Sequence, residues 1–106
     1  MYIYNITFVI EKSIEKEWLK YIRQVFIPKI ISSKIITSYL LSRVINNEIP
    51  ESSFSIQFET DSKQSLDIFL KNEMPEIISK IHQKFSPRML YFATELEVIS
   101  KSKPNE

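Results

Sequence analysis

Two segments of the chain alternate apolar and polar residues. Between residues 2 and 11 every second residue is apolar, and residues 54–58 repeat the pattern as Phe-Ser-Ile-Gln-Phe. Side chains with a two-residue period lie on one side of a β-strand. The pattern therefore predicts two strands, each with one face turned towards a core.

Two other segments repeat apolar residues every three or four positions, which is typical of helices. The first helix is predicted from Ser13, its expected N-cap, to Pro28, which should break or kink it before a short continuation to about Ser33. The second begins at Asp61 or Ser62 and is interrupted by Pro75. Both helices would present one apolar stripe to a core.

Further apolar runs predict strands at residues 35–45 and 89–99, so the element order is β-α-β-β-α-β. Right-handed crossovers turn this order into an α+β, ferredoxin-like fold with a four-stranded antiparallel sheet of order 4-1-3-2. Both helices then cover the same face of the sheet. We expect a single domain over residues 1–100 and a disordered polar tail at 101–106.

Helices on one side leave the other face of the sheet open. The expected inward set is Tyr4, Ile6, Phe8, Phe54, Ile56, Phe58, Leu90, Phe92, Leu96 and Val98. The open face is expected to carry Ile3, Asn5, Thr7, Val9, Ser55, Gln57, Glu59, Tyr91, Ala93, Glu95 and Glu97. A register pairing Arg43 with Ser55 would add Tyr39, Leu41 and Arg43 to this face, and a one-residue slip would reverse those three.

Such an open face would cover about 400 Å² and mix apolar with polar residues. Monomers rarely expose a larger apolar patch, so we expect a homodimer that stacks the open faces of two copies. The alternative is a monomer whose mixed face stays in contact with water.

Composition excludes several kinds of chemistry. The chain has no Cys, so disulfides and thiolate chemistry are excluded, and no Gly, so Gly-rich phosphate loops are excluded. A net charge of +1 gives no field to attract nucleic acid or a membrane surface. Residues 52–59 also lack the basic-Gly-aromatic signature of RNA-recognition strands. We expect a cytoplasmic protein with no metal, cofactor, nucleic acid or membrane partner.

No coherent catalytic set is present, but five residues are candidates for ligand binding. Asn5 and Thr7 lie on a predicted central strand, where polar side chains need partners. Gln57 and Glu95 are expected on the same open face. His82 is the single histidine and borders the apolar stripe of the second helix. Each of these residues also fits a purely structural role.

Several short strings resemble a small bacterial family known only as a domain of unknown function. They are Tyr4-Asn5-Ile6-Thr7, Glu17-Trp18-Leu19, Ile27-Pro28 and Phe58-x-x-Asp61-Ser62. The resemblance spans residues 2–99 and implies the dimeric α/β-barrel branch of the ferredoxin-like fold. Members commonly have His before the Ile-Pro pair and Gly in the next loop. In this chain Phe26 occupies the position of that His, and Ser32-Ser33 occupy the position of the Gly. A role of that His in the family can therefore not be assigned to this chain.

Two functions remain open at this point. The first is a non-catalytic homodimeric module for small-molecule binding or assembly. The second is a small cofactor-independent or haem-linked monooxygenase-like enzyme, by analogy of fold alone. The enzyme would need a closed cavity between helices and sheet, lined by His82 or by Asn5 and Thr7.

Overall fold

The computed structural model describes residues 1–102. Its elements are β1 (Tyr2–Ile10), a 3₁₀ turn (Lys12–Ile14), α1 (Glu15–Tyr21), a π turn (Ile22–Phe26), α2 (Ile27–Ile31), β2 (Ser38–Val44), β3 (Ser52–Thr60), α3 (Lys63–Asn72), α4 (Met74–Phe85) and β4 (Met89–Glu97). The strands form one antiparallel sheet of order β2-β3-β1-β4. This is the predicted ferredoxin-like order 4-1-3-2, read from the other edge.

The core lies between the sheet and the helices. Ile6, Phe8, Ile56 and Phe58 are fully buried there, as their alternation predicted. Trp18 stacks on Phe54 with 4.9 Å between ring centroids. Burying a large aromatic or branched side chain contributes about 1.5–3 kcal/mol, so this layer provides most of the apolar stabilisation.

The first helical segment bends where proline was expected to interrupt it. Pro28 has no amide hydrogen to donate to the preceding turn, and its ring crowds that turn. The chain widens there, so that the amide of Ile27 donates to the carbonyl of Ile22, five residues earlier. Helical structure then continues to Ile31. The predicted cap was wrong: Ser13 lies inside the 3₁₀ turn, and no side chain caps that turn.

The second helical segment follows the prediction more closely. The Ser62 hydroxyl accepts a hydrogen bond from the amide of Ser65 at 3.1 Å, which caps α3. Helix α3 ends at Asn72, and α4 begins at Met74 with Pro75 in its first turn. Proline is well tolerated there because that amide has no partner in a helix.

The predicted orientation of β4 was wrong. Phe8 pairs with Tyr91 and Ile6 with Ala93, and directly paired residues point to the same face. The helix side of β4 therefore carries Met89, Tyr91, Ala93, Glu95 and Glu97. Three residues expected inside, Leu90, Phe92 and Leu96, lie on the open face instead, and Val98 follows the strand. The helices leave this edge uncovered, so burial does not select its more apolar side.

The predicted register of β2 was wrong by one residue. Arg43 pairs with Phe54, not with Ser55. Tyr39, Leu41 and Arg43 therefore lie on the helix side, and the open face receives Ser38, Leu40, Ser42 and Val44. A slip of one residue exchanges the two faces of a strand.

The domain boundary and tail expected at residues 100 and 101 stay predictions. Residues 103–106 of that tail lie outside the part of the chain that the structure describes. Of the rest, Lys101 approaches Glu59 with 3.5 Å between Nζ and Oε1.

Candidate functional site

The open face of the sheet carries almost no charged side chains. Each strand contributes four positions to it: Ile3, Asn5, Thr7 and Val9; Ser38, Leu40, Ser42 and Val44; Ser53, Ser55, Gln57 and Glu59; Leu90, Phe92, Thr94 and Leu96. Glu59 is the one charged residue among these sixteen. It accepts a hydrogen bond from the Ser38 hydroxyl at 2.8 Å. The face therefore carries very little charge for a surface of its size.

Apolar side chains gather on the two outer strands of this face. Leu90 is 71% exposed and Phe92 58% exposed on β4. On β2, Leu40 and Val44 are exposed as well. The two groups lie at opposite edges of the face, because the central strands β3 and β1 run between β2 and β4.

Polar side chains occupy the middle of the same face. Asn5 pairs directly with Gln57, and Thr7 pairs with Ser55. The Ser55 hydroxyl donates to Asn5 Oδ1 at 2.8 Å. The structure thus brings together three of the five predicted ligand residues, Asn5, Thr7 and Gln57. All three are half-buried between apolar borders.

The structure separates the other two predicted ligand residues from this group. Glu95 lies on the helix side of β4, where its carboxylate receives a 2.8 Å hydrogen bond from Lys63 Nζ. His82 lies on an exposed part of α4. The expectation that Glu95 shares the open face with Asn5 was therefore wrong, because β4 has the opposite orientation.

A groove opens on the helix side of β4 and was missed by the sequence analysis. Its volume is about 350 Å³, and its lining is Tyr4, Leu70, Met74, Pro75, Ile78, Tyr91, Ala93 and Glu95. Burial raises the pKa of the Tyr4 hydroxyl, and the neighbouring Tyr91 and Glu95 raise it further. Tyr91 would have been found had the alternation of β4 been assigned the other way.

A second cleft lies between the two helical segments. Its volume is about 280 Å³, and its lining includes Tyr21 and Val25 near the π turn and Lys29 in α2. The opposite wall is formed by α3 and α4 and carries Glu76, which pairs with Lys80 at 3.4 Å. Charges of both signs therefore line the cleft.

A polar cluster joins the first helix to strands β2 and β3. Arg43 donates two hydrogen bonds to Glu15, at 2.9 and 3.2 Å, and the Ser52 hydroxyl donates to the same carboxylate at 2.5 Å. The bonds from Arg43, and then the bond from Ser52, lower the pKa of Glu15. Arg43 also lies over the Phe54 ring at 4.8 Å. The Arg43 guanidinium and the Glu15 carboxylate balance each other, so the cluster fits a structural role.

The space between helices and sheet is filled with aromatic and branched side chains. Phe8 contacts Trp18 and Phe26 at ring-centroid distances of 5.2 and 5.7 Å. Asn5 and Thr7 lie on the other face of the sheet. Within residues 1–102, Asn5 and Thr7 therefore line no closed cavity between helices and sheet, and His82, the other lining that the enzyme hypothesis allowed, is exposed on α4.

The model of a domain of unknown function, DUF4286, matches residues 1–99. The chain belongs to this family. The match covers nearly the whole sequence and agrees with the resemblance described above. No functionally curated protein matches the chain.

Solved structures with the same fold share little sequence with this DUF4286 chain. A dimeric ferredoxin-like protein from an uncultured marine organism is 16% identical, with a TM-score of 0.70 over 97% of this chain and 99% of the other. An ethyl tert-butyl ether d (EthD) family protein from Bacillus halodurans is 12% identical, with a TM-score of 0.69 over 93% of this chain and 100% of the other. At these identities the likeness establishes the fold alone.

A variant of SnoaB, a cofactor-independent oxygenase from Streptomyces nogalater, has the same fold as well. It is 5% identical, with a TM-score of 0.66 over 94% of this chain and 95% of the other. Within residues 1–102, no helix has the length and apolar content to span a membrane. The same residues contain no group of three or more acidic or histidine side chains placed to hold a metal.

Proposed function

We propose that this DUF4286 chain is a non-catalytic homodimeric module for ligand binding or assembly, which pairs through the open face of its sheet. The observation that carries the proposal is the near absence of charge on a face that exposes Leu90 and Phe92. A cytoplasmic location and a bacterial source are parts of the same proposal, and the cysteine-free composition is compatible with a reducing compartment.

Charge depletion supports pairing between copies. The whole chain has 14 basic and 13 acidic residues among 106, about one residue in four, whereas the open face has one in sixteen. The central parts of protein interfaces are depleted in charged residues in the same way. Because the face is nearly neutral, two copies can meet without opposing like charges.

The size of the face also suits a dimer. Strands of seven to nine residues in a four-stranded sheet give about 500 Å² of projected area per copy. Two copies would therefore cover about 1,000 Å², the lower end expected for a specific interface. Pairing would remove Leu90 and Phe92 from water, and the dimeric ferredoxin-like protein of the same fold provides a precedent.

The monooxygenase-like alternative has weaker support. Its support is the likeness to solved structures that include a cofactor-independent oxygenase at 5% identity and an antibiotic biosynthesis monooxygenase at 15%, and such identities support a shared fold only. The interior it would need is occupied by Phe8, Trp18 and Phe26. The non-catalytic module is therefore the better proposal.

Light scattering coupled to size-exclusion chromatography tests the dimer. At micromolar concentration the wild-type chain should have twice its monomer mass of 12.6 kDa. Phe92→Asp should weaken association at least about 30-fold, because it places a charge where a buried aromatic anchor is proposed. That variant should elute as a monomer with unchanged far-UV circular dichroism.

Ile68→Asp is the matched control, since Ile68 is 54% exposed on α3 and Phe92 is 58% exposed on the open face. It should remain a dimer. A monomeric wild-type protein would overturn the proposal. So would dissociation caused by Ile68→Asp but not by Phe92→Asp, since it would move the interface to the helices.

A further inference from the structure

The geometry points to the groove on the helix side of β4 as a binding site for a small neutral aromatic molecule that carries a carbonyl or hydroxyl oxygen. This inference deepens the ligand-binding part of the proposed function. It needs no second copy of the chain, since Tyr91 and Ala93 lie on the face opposite to the proposed dimer surface.

The groove exists because one small residue lies between larger ones on an uncovered strand. Ala93 follows Tyr91 and precedes Glu95 on the helix side of β4, and it pairs with the buried Ile6. Beside Ala93 the helices contribute the end of α3 and the start of α4, where Met74 and Pro75 form the wall. Ala93 thus forms the floor of a shallow groove between Tyr91 and the wall of Met74 and Pro75, a shape that suits a flat ring.

Apolar atoms and aromatic rings supply the stacking surface. Tyr91 lies against Phe8, with 6.0 Å between ring centroids, so its ring is held in place by the core. Leu70 and Ile78 are partly buried and pack on that core. A site whose walls are fixed before binding loses little conformational entropy when a ligand enters.

Two phenol groups supply hydrogen bonds. Tyr4 and Tyr91 both line the groove, and burial, with neighbouring Tyr91 and Glu95, raises the pKa of Tyr4. Protonated phenols donate hydrogen bonds, so they match a carbonyl or hydroxyl oxygen on the ligand. Small-molecule sites typically combine an apolar lining with a few such polar groups.

The charges at one end of the groove favour a neutral ligand over an anion. Glu95 shares Lys63 with Asp67, and the Lys63–Glu95 distance is 2.8 Å. Glu95 is the one charged side chain in the lining of the groove, and because the ammonium that pairs with it is shared with a second carboxylate, its negative charge is only partly balanced. An anionic ligand would be repelled there, whereas a neutral ring would not.

The size of the groove limits the ligand. Its volume of about 350 Å³ lies near the lower end of the range of about 300–1,000 Å³ for small-molecule sites. A single or fused pair of rings fits this space. Coumarin is a suitable probe because it is flat, neutral and carries one carbonyl oxygen.

Titration of the ¹⁵N-labelled protein with coumarin, followed by amide chemical shifts, tests the inference. Saturable shifts should concentrate at residues 74–78 and 91–95. Tyr91→Phe should weaken the affinity about 3- to 10-fold by removing one hydrogen bond. Ala93→Trp should abolish the shifts by filling the floor, and the anion coumarin-3-carboxylate should bind more weakly than coumarin.

Tyr39→Phe is the matched control, because Tyr39 is half-exposed on the helix side of the other edge strand, as Tyr91 is on β4. It should leave the affinity unchanged. The absence of saturable shifts up to the solubility limit would overturn the inference. So would undiminished binding by Ala93→Trp, or shifts centred on Asn5 and Gln57 of the open face.

The two proposals fail separately. If Phe92→Asp is monomeric and still binds coumarin with wild-type affinity, both proposals stand. If the wild-type chain is monomeric but coumarin shifts residues 91–95, the dimer is refuted and the groove is retained. If the dimer forms and coumarin binding is insensitive to Tyr91→Phe and Ala93→Trp, the groove is refuted alone.

Discussion

Strands β3 and β4 have the same length and contrasting environments. β3 lies between β1 and β2, and its residues alternate strictly between buried and half-buried from Ser52 to Thr60. β4 pairs with β1 alone, and only Met89 of its nine residues is buried. Both strands carry apolar residues, but those of β3 build the core and those of β4 remain in water.

The contrast shows that position in the sheet decides what an apolar residue does. Phe54 of β3 is covered by Trp18 and by the Arg43 side chain. Phe92 of β4 is 58% exposed, and no element of residues 1–102 covers it. The same residue type is thus part of the core on one strand and available to a partner on the other.

Truncation of these two phenylalanines should give the largest difference between the strands. Phe54→Ala should lower the free energy of unfolding by about 3–5 kcal/mol, because it leaves a cavity beside Trp18. Phe92→Ala should change the stability of the monomer by less than about 0.5 kcal/mol. Urea denaturation of both variants, each at a concentration low enough for the monomer to predominate, measures this.

Measurement at several dilutions separates folding from association in that comparison. If Phe92→Ala destabilised the isolated monomer as much as Phe54→Ala, the open orientation of Phe92 would be refuted. Loss of dimer without loss of monomer stability would sharpen the contrast between the two strands.

Hydrogen exchange should give a smaller difference. Amides in the middle of β3 have partners on both sides and should exchange only through global unfolding. Alternate amides of β4 face outward from the sheet edge, so they should exchange at least about 100-fold faster. Amide exchange monitored by NMR at neutral pH resolves the two groups.

The inward-facing amides of β4, which bond to β1, are the internal control for that measurement. They should be protected nearly as well as β3. Equal protection of all β4 amides would mean that another chain covers this edge, and the description of β4 as a free edge would then be wrong.

The smallest effect is expected from the polar cluster at the start of β3. Arg43 and Ser52 lower the pKa of Glu15 from its usual 4.5, so the ionised carboxylate is the form that favours folding. This contribution is present above pH 4.5 and is lost as pH falls through the lowered pKa. Glu15→Gln should therefore reduce stability at pH 7 by a small fraction of the Phe54→Ala effect.

Denaturation of wild type and Glu15→Gln between pH 2 and 7 tests the sign of this dependence. The difference should shrink as the solution becomes more acidic. Ser52→Ala removes one of the bonds to Glu15 and should show the same trend with a smaller amplitude. A difference that grew towards low pH would contradict the assignment.

Much of the architecture could be predicted from local patterns. Phe54, Ile56 and Phe58 alternate with polar neighbours, so only one orientation of β3 puts its apolar side inside. Ser62 has the right chemistry and place to cap α3. Such signals are local: a polar side chain turned into the core, or a helix start without a cap, lowers the stability of the same few residues that carry the signal.

The candidate site was predicted only in part. Asn5, Thr7 and Gln57 were assigned to one face correctly, because β1 and β3 alternate clearly. The groove residues Tyr91 and Glu95 were assigned to the wrong face, since β4 has apolar residues at both odd and even positions. Either orientation of β4 would bury a similar number of apolar side chains, so the sequence alone does not distinguish the two.

By itself the sequence determined the order of the elements, the central strands and the interruption of both helical segments near proline. Only the tertiary structure decided which sides of β2 and β4 face the helices. Central strands are buried whichever way their neighbours turn, so their alternation is enforced by the core. Edge strands take their orientation from pairing with β3 and β1, and that pairing placed Phe92 in the open and Tyr91 over a groove.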